Sequence, residues 1–142
     1  MFRGFANLWT IVGLARDLPR DKPLPLRVAG ERVVLFRDAN GKACALVDRC
    51  PHRGVALSLG QVRDGIIECP FHGWRFDGTG ANCHVPWNPD AKRDVLGATA
   101  LPLRELAGLL WLYTGFEPAD GPQPSESLLQ PGVMLCAQSA LW

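Results

Sequence analysis

The chain has 142 residues, which is enough for one domain with a single hydrophobic core and too few for two. Fifteen Lys and Arg residues nearly balance fourteen Asp and Glu residues, so the composition excludes the strong positive field that binds nucleic acid or an anionic membrane surface. Five cysteines are an odd number, and with 47% hydrophobic residues the chain needs no disulfide framework to fold. We therefore expect a cytoplasmic protein in a reducing compartment.

The predicted elements are short β-strands separated by turn residues. In chain order they lie at 8–15, 24–28, 32–36, 43–47, 66–68, 74–76, 101–103 and 108–113. The first run follows Arg3 and loosely resembles a secretory signal, but it ends in Arg16-Asp17 without an obvious cleavage site, so we interpret it as a strand. Ala29-Gly30 predicts a tight hairpin. No apolar stretch is long enough for a membrane helix, and the pattern predicts an all-β fold.

The composition changes near the C-terminus. Residues 117–127 are rich in proline, glycine, serine and acidic residues, have almost nothing to bury, and are predicted to form a linker. Residues 133–142 are apolar again and end on Leu141-Trp142. We therefore expect that the sequence ends inside a further structural unit.

Two short segments carry the metal-binding chemistry. Each supplies one cysteine and one histidine: Cys50-Pro51-His52-Arg53-Gly54 and Cys69-Pro70-Phe71-His72-Gly73-Trp74. Cys-x-His and Cys-x-x-His both reverse the chain tightly enough to direct two side chains at a shared centre. The prolines stiffen the backbone after each cysteine, and the glycines allow conformations that other residues resist. The predicted metal ligands are Cys50, His52, Cys69 and His72.

This ligand set is typical of iron and sulfide, because two cysteines and two histidines divided over two irons form the Rieske 2Fe-2S cluster. Two ferric ions and two sulfides sum to plus two, so two thiolates and two neutral imidazoles give a net charge of zero. A four-cysteine cluster is two units more negative and harder to reduce. Rieske centres accordingly lie at roughly −150 to +300 mV, against about −400 mV for plant-type ferredoxins. The sequence therefore predicts electron transfer.

Beyond the four ligands, the sequence resembles the N-terminal Rieske domain of Rieske non-haem iron oxygenases, the ring-hydroxylating and demethylating enzymes. The resemblance covers most of the chain and continues through Arg75-Phe76-Asp77 to Gly80, Cys83, Val85 and Pro86. It implies an antiparallel β-sandwich domain at 1–117, with a small cluster-binding subdomain at about 40–85. It also implies that Cys50 and Cys69 bind the buried iron, and that His52 and His72 bind the outer one.

Residues within the two segments distinguish subclasses of this family. Respiratory Rieske proteins usually carry an extra cysteine in each loop, whereas Phe71 stands at one of those positions here. Oxygenase components typically have tryptophan after the second His-Gly, so Trp74 favours an oxygenase. Trp74 is expected to pack over the loops and keep water from the sulfides, and Gly73 to let the backbone approach the cluster. Arg53 either hydrogen-bonds near the cluster or engages a partner, although a solvated charge is the commoner role.

The resemblance also implies a catalytic domain that this chain does not contain. The oxygenases bind a mononuclear iron through two histidines and a carboxylate, whereas His84 is the one histidine left over here. Residues 118–142 are interpreted as the linker and first strand of that missing domain, which alone would hold mononuclear Fe(II). The implied electron donor is a ferredoxin or a flavin-dependent reductase, and the parent oxygenase is expected to be a homotrimer.

Two other functions remain open. A stand-alone Rieske ferredoxin would explain the absent iron site, although Trp74 and the apolar ending weigh against it. A structural zinc-binding module is the other, since Cys2His2 is a common zinc set, but zinc sites usually use Cys-x-x-Cys or His-x-x-x-His arms. The remaining cysteines, Cys44, Cys83 and Cys136, are predicted to be buried small apolar residues, and His84 to be a surface residue.

Overall fold

The structure of the chain is a computed structural model that describes residues 2, 4 and 6–125. These residues form eleven β-strands: β1 (Trp9–Leu14), β2 (Leu24–Val28), β3 (Glu31–Arg37), β4 (Ala43–Val47), β5 (Gln61–Arg63), β6 (Ile66–Glu68), β7 (Arg75–Phe76), β8 (Asn82–His84), β9 (Ala100–Leu101), β10 (Leu103–Leu106) and β11 (Leu109–Tyr113). Three single 3-10 turns lie at Ala15–Asp17, Leu57–Leu59 and Arg93–Val95. None of the helical turns in this part of the chain has the length or apolar character that crossing a bilayer requires.

The strands pair into three antiparallel sheets. Sheet 1 has the order β1-β11-β10, sheet 2 has the order β2-β3-β4-β9, and sheet 3 has the order β5-β6-β7-β8. The predicted all-β, antiparallel fold is therefore confirmed. The strand expected to open a further domain lies outside the described residues.

Sheet 2 is the shared central layer because it is buried on both faces. Side chains alternate along a strand, so Val33 and Leu35 of β3 face the core against sheet 1, while Val34 and Phe36 face the core against sheet 3. This double burial explains the unbroken apolar run of β3. Burial of each such side chain contributes about 1.5–3 kcal/mol to folding, so sheet 2 is a stable layer against which sheet 3 packs.

Two-residue hairpins connect several of these strands. Ala29-Gly30 joins β2 to β3 with positive φ at both residues (47° and 83°), as a type I′ turn requires, and this hairpin was predicted. Asp64-Gly65 joins β5 to β6 with φ values of 52° and 75°. Strand β5 was missed by the sequence analysis, although Asp-Gly is a strong hairpin signal.

Part of the predicted linker packs against sheet 1. The indole Nε1 of Trp9 donates a hydrogen bond to the backbone oxygen of Asp120 at 2.6 Å, and the guanidinium carbon of Arg104 lies 6.0 Å from the centroid of the same ring. Pro122 is buried. The chain after Tyr113 is therefore attached to the domain up to this point, and the domain boundary near residue 117 stays a prediction.

Candidate metal centre

The first metal-binding segment is a tight loop that follows β4. In this loop 1 (Cys50–Val55), the Cys50 N–H donates to the Val55 oxygen at 2.8 Å, and the Gly54 N–H donates to the Cys50 oxygen at 2.8 Å. Gly54 has a φ of +75°, a conformation that a side chain would strain. The loop therefore closes on itself with the cysteine at its base.

The second segment repeats the same backbone frame between β6 and β7. In this loop 2 (Cys69–Trp74), the Cys69 N–H donates to the Trp74 oxygen at 2.8 Å, and the Gly73 N–H donates to the Cys69 oxygen at 3.1 Å. Gly73 has a φ of +74°, and an added Cβ would lie 3.2 Å from Cγ of Pro86. Both loops thus read Cys-Pro-x-x-Gly, but the histidine is third in loop 1 and fourth in loop 2.

The two thiols meet at the buried side of the site. Cys50 and Cys69 are each 2% exposed, and their side chains are close enough to interact electrostatically. Burial, with Cys69 adding to it, raises the pKa of the Cys50 thiol to about 11, while backbone N–H groups of His52 and Arg53 directed at the sulfur oppose this rise. Those N–H groups stabilise a thiolate once a metal displaces the proton.

The two imidazoles meet at the outer side. The ring centroids of His52 and His72 are 4.8 Å apart, and the planes are tilted by 60°. Partial desolvation, and then the neighbouring His72 and Arg53, lower the pKa of His52, which favours the neutral ring that a metal binds. Nδ1 of His72 is buried without a hydrogen-bond partner among the described residues. Such a buried nitrogen costs about 1–3 kcal/mol unless a ligand satisfies it.

The donors therefore form two pairs at different depths. Thiols lie together inside and imidazoles lie together outside, which is the division that a two-iron cluster with two ligands per iron requires. Within the described part of the chain, no three His, Cys, Asp or Glu side chains converge on one point suited to a single metal ion. The residues present fit a 2Fe-2S cluster. The buried His72 Nδ1, which lacks a hydrogen-bond partner among the described residues, is the clearest indication that a metal binds here.

An aromatic ring contacts each of the two imidazoles. The indole of Trp74 stacks on His52 with centroids 4.6 Å apart and planes within 5° of parallel. Phe71, which is 59% exposed, leans on His72 at 4.1 Å with a tilt of 54°. Trp74 thus packs over loop 1, as predicted, and the ring that it contacts there is that of the predicted ligand His52. Arg53 is exposed and forms no ion pair with another described residue.

Side-chain braces that the sequence analysis missed hold both loops. The carboxylate of Asp48, before loop 1, accepts hydrogen bonds from the N–H (2.8 Å) and hydroxyl (2.6 Å) of Ser58. Glu68 and Arg75 flank loop 2, lie opposite each other on β6 and β7, and form an ion pair at 2.6 Å. Arg75 lowers the pKa of Glu68. The strand register alone could have suggested the Glu68–Arg75 pair. The Asp48–Ser58 pair joins residues ten positions apart that are not paired in a sheet.

The other candidate residues belong to neither of the two donor pairs. Cys44 is buried in the core between sheets 2 and 3, as predicted. Cys83 is half-buried rather than buried, because β8 is the edge strand of sheet 3, and Cys136 lies outside the described residues. His84 is exposed, as predicted.

Comparisons with known proteins identify the family. The model of the Rieske [2Fe-2S] domain family matches residues 8–102. The chain belongs to the Rieske [2Fe-2S] domain family. Its cofactor is accordingly a Rieske-type 2Fe-2S cluster, and the domain transfers electrons through it.

Three similar proteins are oxygenases or oxygenase complexes. Chlorophyllide a oxygenase, chloroplastic, from Chlamydomonas reinhardtii is 39% identical over 125 residues, which cover 88% of this chain and 18% of that protein. The crystal structure of dicamba monooxygenase bound to dicamba matches with a TM-score of 0.80 at 33% identity, covering 89% of this chain and 41% of that chain. A chain from the reduced complex between oxygenase and ferredoxin in carbazole 1,9a-dioxygenase gives a TM-score of 0.72 at 29% identity, covering 89% and 32%. This chain thus spans less than half the length of each.

Proposed function

We propose that Cys50 and Cys69 hold the inner iron of the Rieske cluster, and that His52 and His72 hold the outer iron. The observation that carries this proposal is the division of the donors into a buried thiol pair and an outer imidazole pair. When bound, the cluster supplies one-electron redox chemistry. The thiolates anchor it in the core, the loop N–H groups stabilise their charge, and Gly73 lets the backbone of loop 2 pass close by. Trp74 covers one side, and Arg53 adds positive charge outside.

The parent protein in this proposal is a Rieske-type oxygenase, hence an oxidoreductase. The domain receives electrons from a ferredoxin or a flavin-dependent reductase and passes them to a mononuclear non-haem iron held in a separate catalytic domain. Trp74 after His-Gly supports the oxygenase subclass, and the similar proteins are named as monooxygenases and dioxygenases. A homotrimer of the parent enzyme is part of the same proposal and follows from the family resemblance alone.

The exposed side of the site suits a negatively charged electron donor. His52 is exposed, and Arg49, directly before loop 1, and Arg53, within it, are exposed residues without an ion pair to another described residue. A ferredoxin with an acidic surface would be attracted to this side, and salt would weaken the attraction. We place the protein in a reducing compartment; cytoplasm is our proposal, while the Chlamydomonas relative is named as chloroplastic.

The ligand assignment is tested by iron and sulfide analysis with electron paramagnetic resonance of the dithionite-reduced chain. The wild type should give a rhombic signal with a low average g, and Cys69→Ser or His52→Ala should lose both iron and signal. His84→Ala is the matched control, because that histidine is exposed and is not one of the predicted ligands, and it should retain both. A brown, redox-active His52→Ala protein would overturn the assignment, and zinc in place of iron would support a structural module.

A further inference from the structure

We propose that Trp74 is a positioning residue for His52: the indole of loop 2 fixes the orientation of the imidazole of loop 1. This inference deepens the proposed function and rests on His52 being an iron ligand. It goes beyond covering the cluster, because it assigns the indole a specific partner ring and a specific task. It also makes the two loops dependent on each other.

The geometry distinguishes this contact from the other ring contacts of the site. The His52 and Trp74 planes are within 5° of parallel, whereas the His52–His72 and Phe71–His72 pairs are tilted by 60° and 54°. A parallel contact restricts rotation of the imidazole about both side-chain torsions. His52 itself is exposed, and its ring nitrogens form no hydrogen bond with the described part of the chain. Stacking is therefore the main restraint that the protein places on this ring.

The indole can act as a fixed surface because its own backbone is held. The Trp74 oxygen accepts the hydrogen bond that closes loop 2, and its side chain packs against the core between sheets 2 and 3. The next residue, Arg75, begins β7 and is paired with Glu68. A half-buried ring on a strand end thus supports an exposed ring on a turn. A favourable aromatic pair changes an equilibrium by a factor of roughly 2 to 10, which sets the size of the expected effects.

The first experiment detects the stacking of Trp74 on His52 in the metal-free 142-residue chain. The chain has three histidines, so proton–carbon NMR should resolve one Hε1 signal each for His52, His72 and His84. The indole ring current should shift the His52 signal away from that of exposed His84. Trp74→Leu should move it to the position of His84, and Trp74→Phe should retain part of the shift. Phe71→Leu is the matched control, because Phe71 contacts the His72 ring in a tilted arrangement, and it should leave in place the shift that Trp74 gives His52.

The second experiment uses the iron-loaded chain. Trp74→Leu should lose its cluster roughly 2 to 10 times faster than the wild type during incubation with a chelator, with an altered reduction potential and broadened paramagnetic resonance. Trp74→Phe should restore most of the wild-type behaviour, which a loss of bulk packing alone would not predict. Phe71→Leu should retain the wild-type rate.

The outcomes separate this inference from the ligand assignment. An unmoved His52 signal in a folded Trp74→Leu chain would overturn the inference, whatever metal is bound. A wild-type chain that contains no iron would overturn the ligand assignment. The NMR result would still show whether Trp74 positions the His52 ring. Should Trp74→Leu lose its amide dispersion, Trp74→Phe decides alone: an intermediate His52 shift supports the positioning role, and a signal at the His84 position refutes it.

Discussion

The hydroxyl of Ser58 offers a direct test of how loop 1 is held. Asp48 is 3% exposed and accepts both the N–H and the hydroxyl of Ser58, the central residue of the 3-10 turn Leu57–Leu59. Ser58→Ala keeps the N–H bond and leaves the buried carboxylate without its hydroxyl donor. Because hydrogen bonds to buried charged groups contribute about 1.5–3 kcal/mol, the free energy of unfolding should fall by that amount. For a domain of this size that is a Tm decrease of roughly 5–12 °C.

The chain contains a matched control on its surface. Asp77 accepts the N–H (2.8 Å) and the hydroxyl (2.6 Å) of Thr79 in an exposed turn. Thr79→Ala removes the same type of bond where water can replace the donor, so its cost should stay below about 1 kcal/mol. Urea titration of the metal-free protein, followed by tryptophan fluorescence, measures both values at constant m.

The comparison between the two variants decides the matter. If Ser58→Ala costs no more than Thr79→Ala, burial does not strengthen the brace and the reasoning is wrong. A double-mutant cycle with Asp48→Ala gives a second criterion, since a real bond should yield a coupling energy of about 1–2 kcal/mol. A coupling near zero would mean that Ser58 acts independently of Asp48.

Other predictions concern single positions. Gly60→Ala should lower the free energy of unfolding by about 3 kcal/mol in the same urea titration, because an added Cβ would collide with the backbone oxygen of Glu68. At Gly13 an added Cβ meets open space, so Gly13→Ala should cost under about 1 kcal/mol. Burial, followed by Asp38, raises the pKa of the Cys44 thiol to about 11. The rate of its alkylation by iodoacetamide, measured by mass spectrometry, should therefore rise about tenfold for each pH unit between pH 8 and 10. A rate that levels off by pH 9 would contradict this. Arg53→Glu should slow reduction by an acidic ferredoxin in stopped-flow measurements at equal iron content, most at low salt, whereas Arg27→Glu on β2 should not.

Much of the fold could be predicted because its signals are local. Apolar runs bounded by turn residues located β2, β3 and β4, and the φ > 0 requirement of a two-residue hairpin located Ala29-Gly30. Strands β5 and β8, of three residues each, were not predicted, and the short strands β6, β7 and β9 were located only as parts of short runs next to turns or to the metal-binding segments. Strands that short have no measurable periodicity and are stabilised by neighbours in the sheet. The division into three sheets is likewise a matter of long-range pairing.

The candidate site divides in the same manner. The four ligand positions follow from residue type and spacing, and the structure brings the two cysteines together and the two histidines together, while their assignment to the irons stays a prediction. The Asp48–Ser58 brace depends on a carboxylate and a serine that have no motif, and the stack of Trp74 on His52 depends on how two loops approach. Sequence spacing determines which residues can reach a centre, and only packing determines which rings meet face to face.

The repeated loop frame explains why the histidines form the outer side of the site. In each loop the cysteine comes first, and its N–H and C=O close the frame, so its side chain stays in the core. The histidine comes two or three residues later, when the chain has already left the sheet, and it emerges nearer to solvent. The order cysteine then histidine therefore sets the depth of each donor. Of the four predicted ligands the imidazoles are therefore nearer to solvent, which suits the proposed one-electron exchange with a separate protein.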